Sequence, residues 1–103
     1  MAKTSMFVKL SAQDGKRDDL LAALDRMLVA VNEEAGTEIY AFNLDTTDDN
    51  AIWIYELYTD ADALAAHSSS DAMATLLGEV GGLLGDAPLM VTTTPVSGKG
   101  IGL

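Results

Sequence analysis

Ala51–Met73, AIWIYELYTDADALAAHSSSDAM, is the stretch from which the rest of the chain can be read. Side chains alternate across a strand. In Ala51–Tyr58 one row therefore carries Ile52, Ile54, Glu56 and Tyr58, and the other Ala51, Trp53, Tyr55 and Leu57. Bulky apolar residues fill both rows, the pattern of a strand covered on both sides rather than half-wetted. Asp60 and Asp62 then open a helix through Ala61, Ala63, Leu64, Ala65 and Ala66, all good helix formers, that ends at the only histidine, His67. Leu64 and His67 stand three apart, on one side of that helix. Ser68–Ser70 breaks the run, and Ser68 and Asp71 have capping-box spacing for a second helix. A titratable ring at a helix end beside an aromatic strand marks the place to look for function.

Bulk properties narrow the choices. A chain of 103 residues is expected to form one domain, residues 1–103, with a core that needs no staples. With no cysteine there is no disulfide framework, no thiolate metal site and no cysteine nucleophile. A formal charge of −10 with six scattered basic residues argues against nucleic acid, whose phosphates need clustered Lys and Arg. No apolar run approaches the ~20 residues of a membrane span. MAKTSMFVKL lacks the long apolar region of a signal peptide, so a cytoplasmic protein is the expectation.

Working outward, Met6–Leu10 reads as a first strand, with Met6, Val8 and Leu10 on one side and Phe7 and Lys9 on the other. Gln13–Lys16 is a turn around Gly15. From Arg17 a helix follows with an apolar stripe of Leu20, Leu24, Met27, Leu28 and Val31. Gly36 is its expected C-cap. Thr37–Leu44 is a second strand, joined to the Ala51 strand as a hairpin through DTTDDN. After His67 a helical piece, Asp71 to about Leu77, turns Met73, Leu76 and Leu77 inward, and the glycines from Gly78 to Gly85 loosen the chain. Ala87–Val96 is the last strand, placed at a sheet edge by Pro88 and Pro95. Residues 97–103 form a Gly-rich tail.

Strand, helix, strand, strand, helix, strand is the ferredoxin-like βαββαβ order: an α+β fold with a four-stranded antiparallel sheet and helices on one face. Helices cover only that face, yet both faces of the Ala51 strand are apolar. Soluble monomers seldom expose so large a patch. The expectation is a homodimer with its sheets packed face to face, a dimeric α/β barrel.

The chain resembles the antibiotic biosynthesis monooxygenase (ABM) family of dimeric α/β-barrel proteins, which includes small quinol monooxygenases. The resemblance runs through DGKRDDLLAAL, the G-T-x-x-Y of Gly36–Tyr40, the Y-E-L-Y-x-D…A-L-x-A-H-x-x-S-D of Tyr55–Asp71, and a last strand ending TTTPVSGKG. It implies a pocket in each subunit between sheet and helices, and oxidation of a quinol or polycyclic phenol by O2 without flavin, haem or metal. Haem-degrading relatives carry an Asn on the first strand, a Trp at the position of His67 and a ligating His at the position of Leu77. This chain matches none of these.

Cofactor-free oxygenation requires a flat, electron-rich substrate, a group to take its proton, and exclusion of water. His67 is the candidate catalytic group, since its ordinary pKa lies near neutrality. Tyr40, Phe42, Trp53 and Tyr55, with Phe7, are candidate aromatic walls, and Asn43 or Tyr58 a candidate hydrogen-bonding partner for a substrate oxygen. For His67 the structural alternative is an imidazole satisfying a carbonyl or Glu56. Glu56 is costly to bury unpaired, so it either pairs with Lys9 or Lys99 across the dimer or faces the pocket and orients His67. No metal site is expected with one histidine and no cysteine. Two other functions fit the same fold: a non-redox isomerase of a small carbonyl compound, with His67 moving a proton, and a non-catalytic small-molecule-binding or stress-related module.

Overall fold

The computed structural model describes residues 2–102; residues 1 and 103, the two ends of the expected domain and the last of the expected tail, lie outside the described residues. Seven elements follow one another: β1 (Thr4–Ser11), α1 (Arg17–Val31), β2 (Thr37–Leu44), β3 (Ala51–Tyr58), α2 (Ala61–Ser68), α3 (Asp71–Val80) and β4 (Leu89–Thr93). The strands form one antiparallel sheet in the order β2-β3-β1-β4, so the doubly apolar β3 is central and β4 lies on an edge. This is the ferredoxin-like arrangement, with the second helical layer split into α2 and α3.

Pairing residues share a face, and the register divides the sheet cleanly. On the helix-covered inner face Val8 and Phe42 flank Ile54, and Met6 and Tyr40 flank Glu56. Leu20, Leu24 and Met27 of α1 and Leu76 and Val80 of α3 close over this row as the core. Leu20 and Leu24 are fully shielded, each burial favouring the fold by about 1.5–3 kcal/mol. On the outer face Phe7 pairs with Tyr55 and Val91, and Lys9 with Trp53 and Leu89. Phe7 remains 48% exposed, Leu89 52% and Val91 45%.

Several local expectations change. Gly36 is not the cap of α1, which ends at Asn32, and its φ is not positive. It is small for another reason: a Cβ there would lie 2.5 Å from Ala63 Cβ, so the missing side chain lets α2 press against the end of β2. The cap of α3 is Ser70 rather than Ser68, because the chain remains helical through Ser68 and it is Ser70 Oγ that accepts from Met73 N at 3.2 Å. The second helical piece continues through Gly78 to Val80, and Leu77 is 62% exposed instead of inward. The last strand shortens to Leu89–Thr93, since neither Pro88 nor Pro95 has an N–H for the ladder.

The β2–β3 register slips once, between Thr37 and Ile39, leaving Glu38 as an extra residue. Strict alternation would put Thr37 on the outer face with Ile39. The bulge pairs it with Tyr58 instead, on the inner face. Among the described residues no helix is long and apolar enough to cross a membrane.

Candidate functional site

The helix α2 begins at Asp60, whose carboxylate accepts from Ala63 N at 2.8 Å, and delivers His67 in its last turn. One backbone bond and three side-chain contacts hold His67. The backbone carbonyl of His67 accepts from Ser70 Oγ at 2.8 Å. The ring stands between Tyr40 and Tyr58, with centroids at 5.1 and 5.4 Å. Its Nδ1 lies 2.8 Å from Glu34 Oε1, the same oxygen that accepts from Thr37 Oγ1 at 2.7 Å. A carboxylate can only accept, so Nδ1 carries the hydrogen and a neutral ring presents Nε2 as a bare acceptor.

Among the described residues Nε2 has no partner, although His67 is only 2% exposed. An unsatisfied buried polar atom costs about 1–3 kcal/mol, a penalty that a donor supplied by a ligand would remove. His67 divides two spaces. On one side is a surface cleft shared with Glu34, Thr37 and Ser70. On the other is an apolar chamber of about 110 Å³ under α3, where Tyr40, Glu56, Ser68 and Met73 join His67 and where Leu77 and Met90 form part of the wall.

Glu56 is 5% exposed and receives the Tyr58 hydroxyl on Oε1 at 2.5 Å. Burial, opposed only in part by that hydrogen bond and by the nearby imidazole, pushes its carboxyl above the usual range. Burial also raises Tyr40 and Tyr58, helped by the Glu56 and Glu34 charges, so both remain neutral phenols. Neither Lys9 nor the outer face offers Glu56 a cation. Lys9 lies on the opposite side of the sheet, 5.5 Å over the Trp53 ring and 4.0 Å from Asp48. The partner of Glu56 is a phenol on its own strand.

The structure thus brings together three of the residues singled out by sequence, His67, Tyr40 and Glu56, around one chamber. Tyr58 stands behind them, committed to Glu56, and Phe42 packs edge-on against Tyr40 within the core. Asn43 pairs with Trp53, and Tyr55 with Ala41 and Phe7, on the outer face, and none of the three lines either space beside His67. Trp53 Nε1 donates to Asp45 Oδ2 at 2.8 Å, and this bond, with those from the backbone of Thr47 and Asp48, holds the Asp45 carboxyl far below its usual range. Glu34 and Thr37 went unnoticed in the sequence. Glu34 lies 33 residues before His67, and no spacing ties a residue in the turn after α1 to one at the end of α2.

An α+β sheet domain with an apolar chamber open on one side and one buried, oriented imidazole is the class that fold and site define. Residues 5–77 match the family described as antibiotic biosynthesis monooxygenase, and the chain belongs to that family. Similar solved structures include a candidate antibiotic biosynthesis monooxygenase of Caulobacter crescentus, with 21% identity over 93% of this chain and 92% of that one, at a TM-score of 0.89. A candidate monooxygenase of the same description from Chloroflexus aurantiacus has 27% identity over 98% and 100%, with a TM-score of 0.83. A Mycobacterium tuberculosis protein has 21% identity over 95% and 99%, with a TM-score of 0.86. The first and third carry the fold alone. Among proteins with curated descriptions none matches.

Proposed function

We propose that the protein is a monooxygenase that binds a quinol or related phenol in the chamber beside His67 and oxidises it with O2. The observation that carries this reading is the buried Nε2 of His67, unpartnered among the described residues, on a side chain that lines the chamber and has its tautomer set by Glu34. A substrate hydroxyl donates to Nε2 and then yields its proton. The imidazolium formed is held by the Glu34 carboxylate on its other edge, as an oriented base requires. Glu34 is 22% exposed, so the proton has a way out through the surface cleft without water entering the chamber. The deprotonated ring passes electrons to O2. One oxygen atom enters the ring and the other leaves as water, so a quinol becomes a hydroxyquinone. All the electrons come from the organic molecule, and no flavin or external reductant is required.

The outer face supports a homodimer. Phe7, Leu89 and Val91 form a half-wetted apolar surface with Trp53 and Tyr55, and a second copy packed sheet to sheet would cover it. Oxygen uptake by the pure protein with a panel of quinols, against a His67→Ala control, tests the catalytic reading. Uptake that is absent with every quinol, or equal in the variant, would defeat it. Turnover that persists without oxygen would point to the isomerase, and binding without turnover to a carrier module.

A further inference from the structure

We infer that the chamber selects a single-ring ligand with a free O–H, and that fused-ring phenols do not fit it. The inference rests on reading the chamber as the substrate site, and it goes further on size and on polarity. An apolar cavity of about 150 Å³ holds one benzene molecule. The space here is about 110 Å³, so one six-membered ring fills it after a small adjustment. The inner end is closed: Tyr40 and Glu56 are backed by Phe42 and Tyr58, and Ile54 and Val8 belong to the packed core. The open side is between Leu77 and Met90, 62% and 61% exposed. A second fused ring would have to project there into water and would lose the burial that drives binding.

The polarity requirement is independent of size. Glu34 occupies Nδ1 and makes it the donor, so Nε2 of the neutral ring can only accept. A ligand without a hydrogen to give leaves that buried nitrogen unsatisfied. Sites built around such an atom reject the analogue that lacks the partner group.

The test uses the full chain without oxygen, so that binding is read apart from chemistry. His67 is the only histidine, and its imidazole signals in NMR report directly on Nε2. Three probes suffice: hydroquinone, its dimethyl ether, and the fused-ring naphthohydroquinone. Hydroquinone is expected to shift the Nε2 resonance saturably, and the ether and the fused-ring diol to bind about tenfold or more weaker. An ether that binds as well as hydroquinone overturns the polarity requirement, and a fused-ring diol that binds equally or better overturns the size limit. Met73→Ala, which enlarges the chamber from α3, should bring the two diols close to parity; an unchanged ratio would show that the chamber does not set the limit. Oxygen uptake is then measured separately. Selective binding of hydroquinone without uptake leaves this inference standing and sinks the monooxygenase, while turnover of the fused-ring diol alone does the reverse.

Discussion

The two faces of the sheet are made by the same strands and differ in what they leave unfinished. The inner face is finished except at one atom: Glu56 takes the Tyr58 hydroxyl, Glu34 takes Nδ1 of His67, and among the described residues Nε2 is the one fully buried side-chain polar atom without a partner. The outer face has its polar atoms in order, with Trp53 bonded to Asp45 and Lys9 lying over the Trp53 ring, and lacks a cover for Phe7, Leu89 and Val91. One deficit is the size of a hydrogen bond and the other the size of a surface. A small molecule can answer the first, and only another macromolecule the second. Occupants of the two faces should therefore be separable by mutation.

The largest expected effect lies on the inner face. His67→Ala should lower quinol-dependent oxygen uptake by about 10²–10⁴-fold, with the oligomeric state by sedimentation unchanged. A fall in uptake accompanied by dissociation would mean that the two faces are not independent. Next comes Phe7→Glu with Val91→Glu, neighbours across β1 and β4. Two charges set into the proposed interface should weaken self-association by about 30-fold or more, read as a monomer in sedimentation at micromolar concentration. If the pair leaves the mass unchanged, the outer face is not where copies meet.

Gly36→Ala is smaller and acts at the joint between β2 and α2. Its Cβ would meet Ala63 at 2.5 Å, and overpacking of this kind destabilises by about 1–3 kcal/mol. Thermal unfolding would show it. Because α2 carries His67, the imidazole signals should move as well. A neutral effect would indicate that α2 can shift away freely.

The smallest effect is that of Glu56→Gln, and it depends on pH. The folded-state carboxyl titrates above its unfolded value because it is buried. Its contribution to stability is therefore fully present below the unfolded value and is lost as pH rises through the folded one. Glu56→Gln keeps an oxygen for the Tyr58 hydroxyl and removes the buried charge. It should raise Tm at neutral pH and show no gain in acid. A gain of equal size at both ends of the range would place the cause in packing instead of charge.

What could be read from the sequence follows from where its periodicities are strong. The unbroken apolar run of β3, bulky in both rows, and the stripe of α1 placed the sheet and the core, because burial on a regular element imposes a regular pattern. The helix-end position of His67 was legible for the same reason. Glu34 and Thr37 were not, since Glu34 sits in a turn without period and the bulge at Glu38 reverses the phase of Thr37. Gly36 looked like a cap because glycine ends many helices, whereas its role is steric and involves Ala63, far along the chain. Trp53 and Tyr55 were weighed as pocket walls on residue type, but alternation itself puts them across the sheet from His67.

The irregularity at Glu38 has a consequence for how such a site can vary. Everything before it in β2 is out of step with everything after it, so the strand carries two alignments with a seam between them. Removing Glu38 would close Thr37 up to Ile39 and restore even pairing with Thr37 still opposite Tyr58, so its bond to Glu34 and the place of Tyr40 would both be kept. What the deletion would remove is the pair of contacts that Glu38 makes with Lys3 and Thr59, so this rim of the sheet can change by a single codon while the base keeps its anchor.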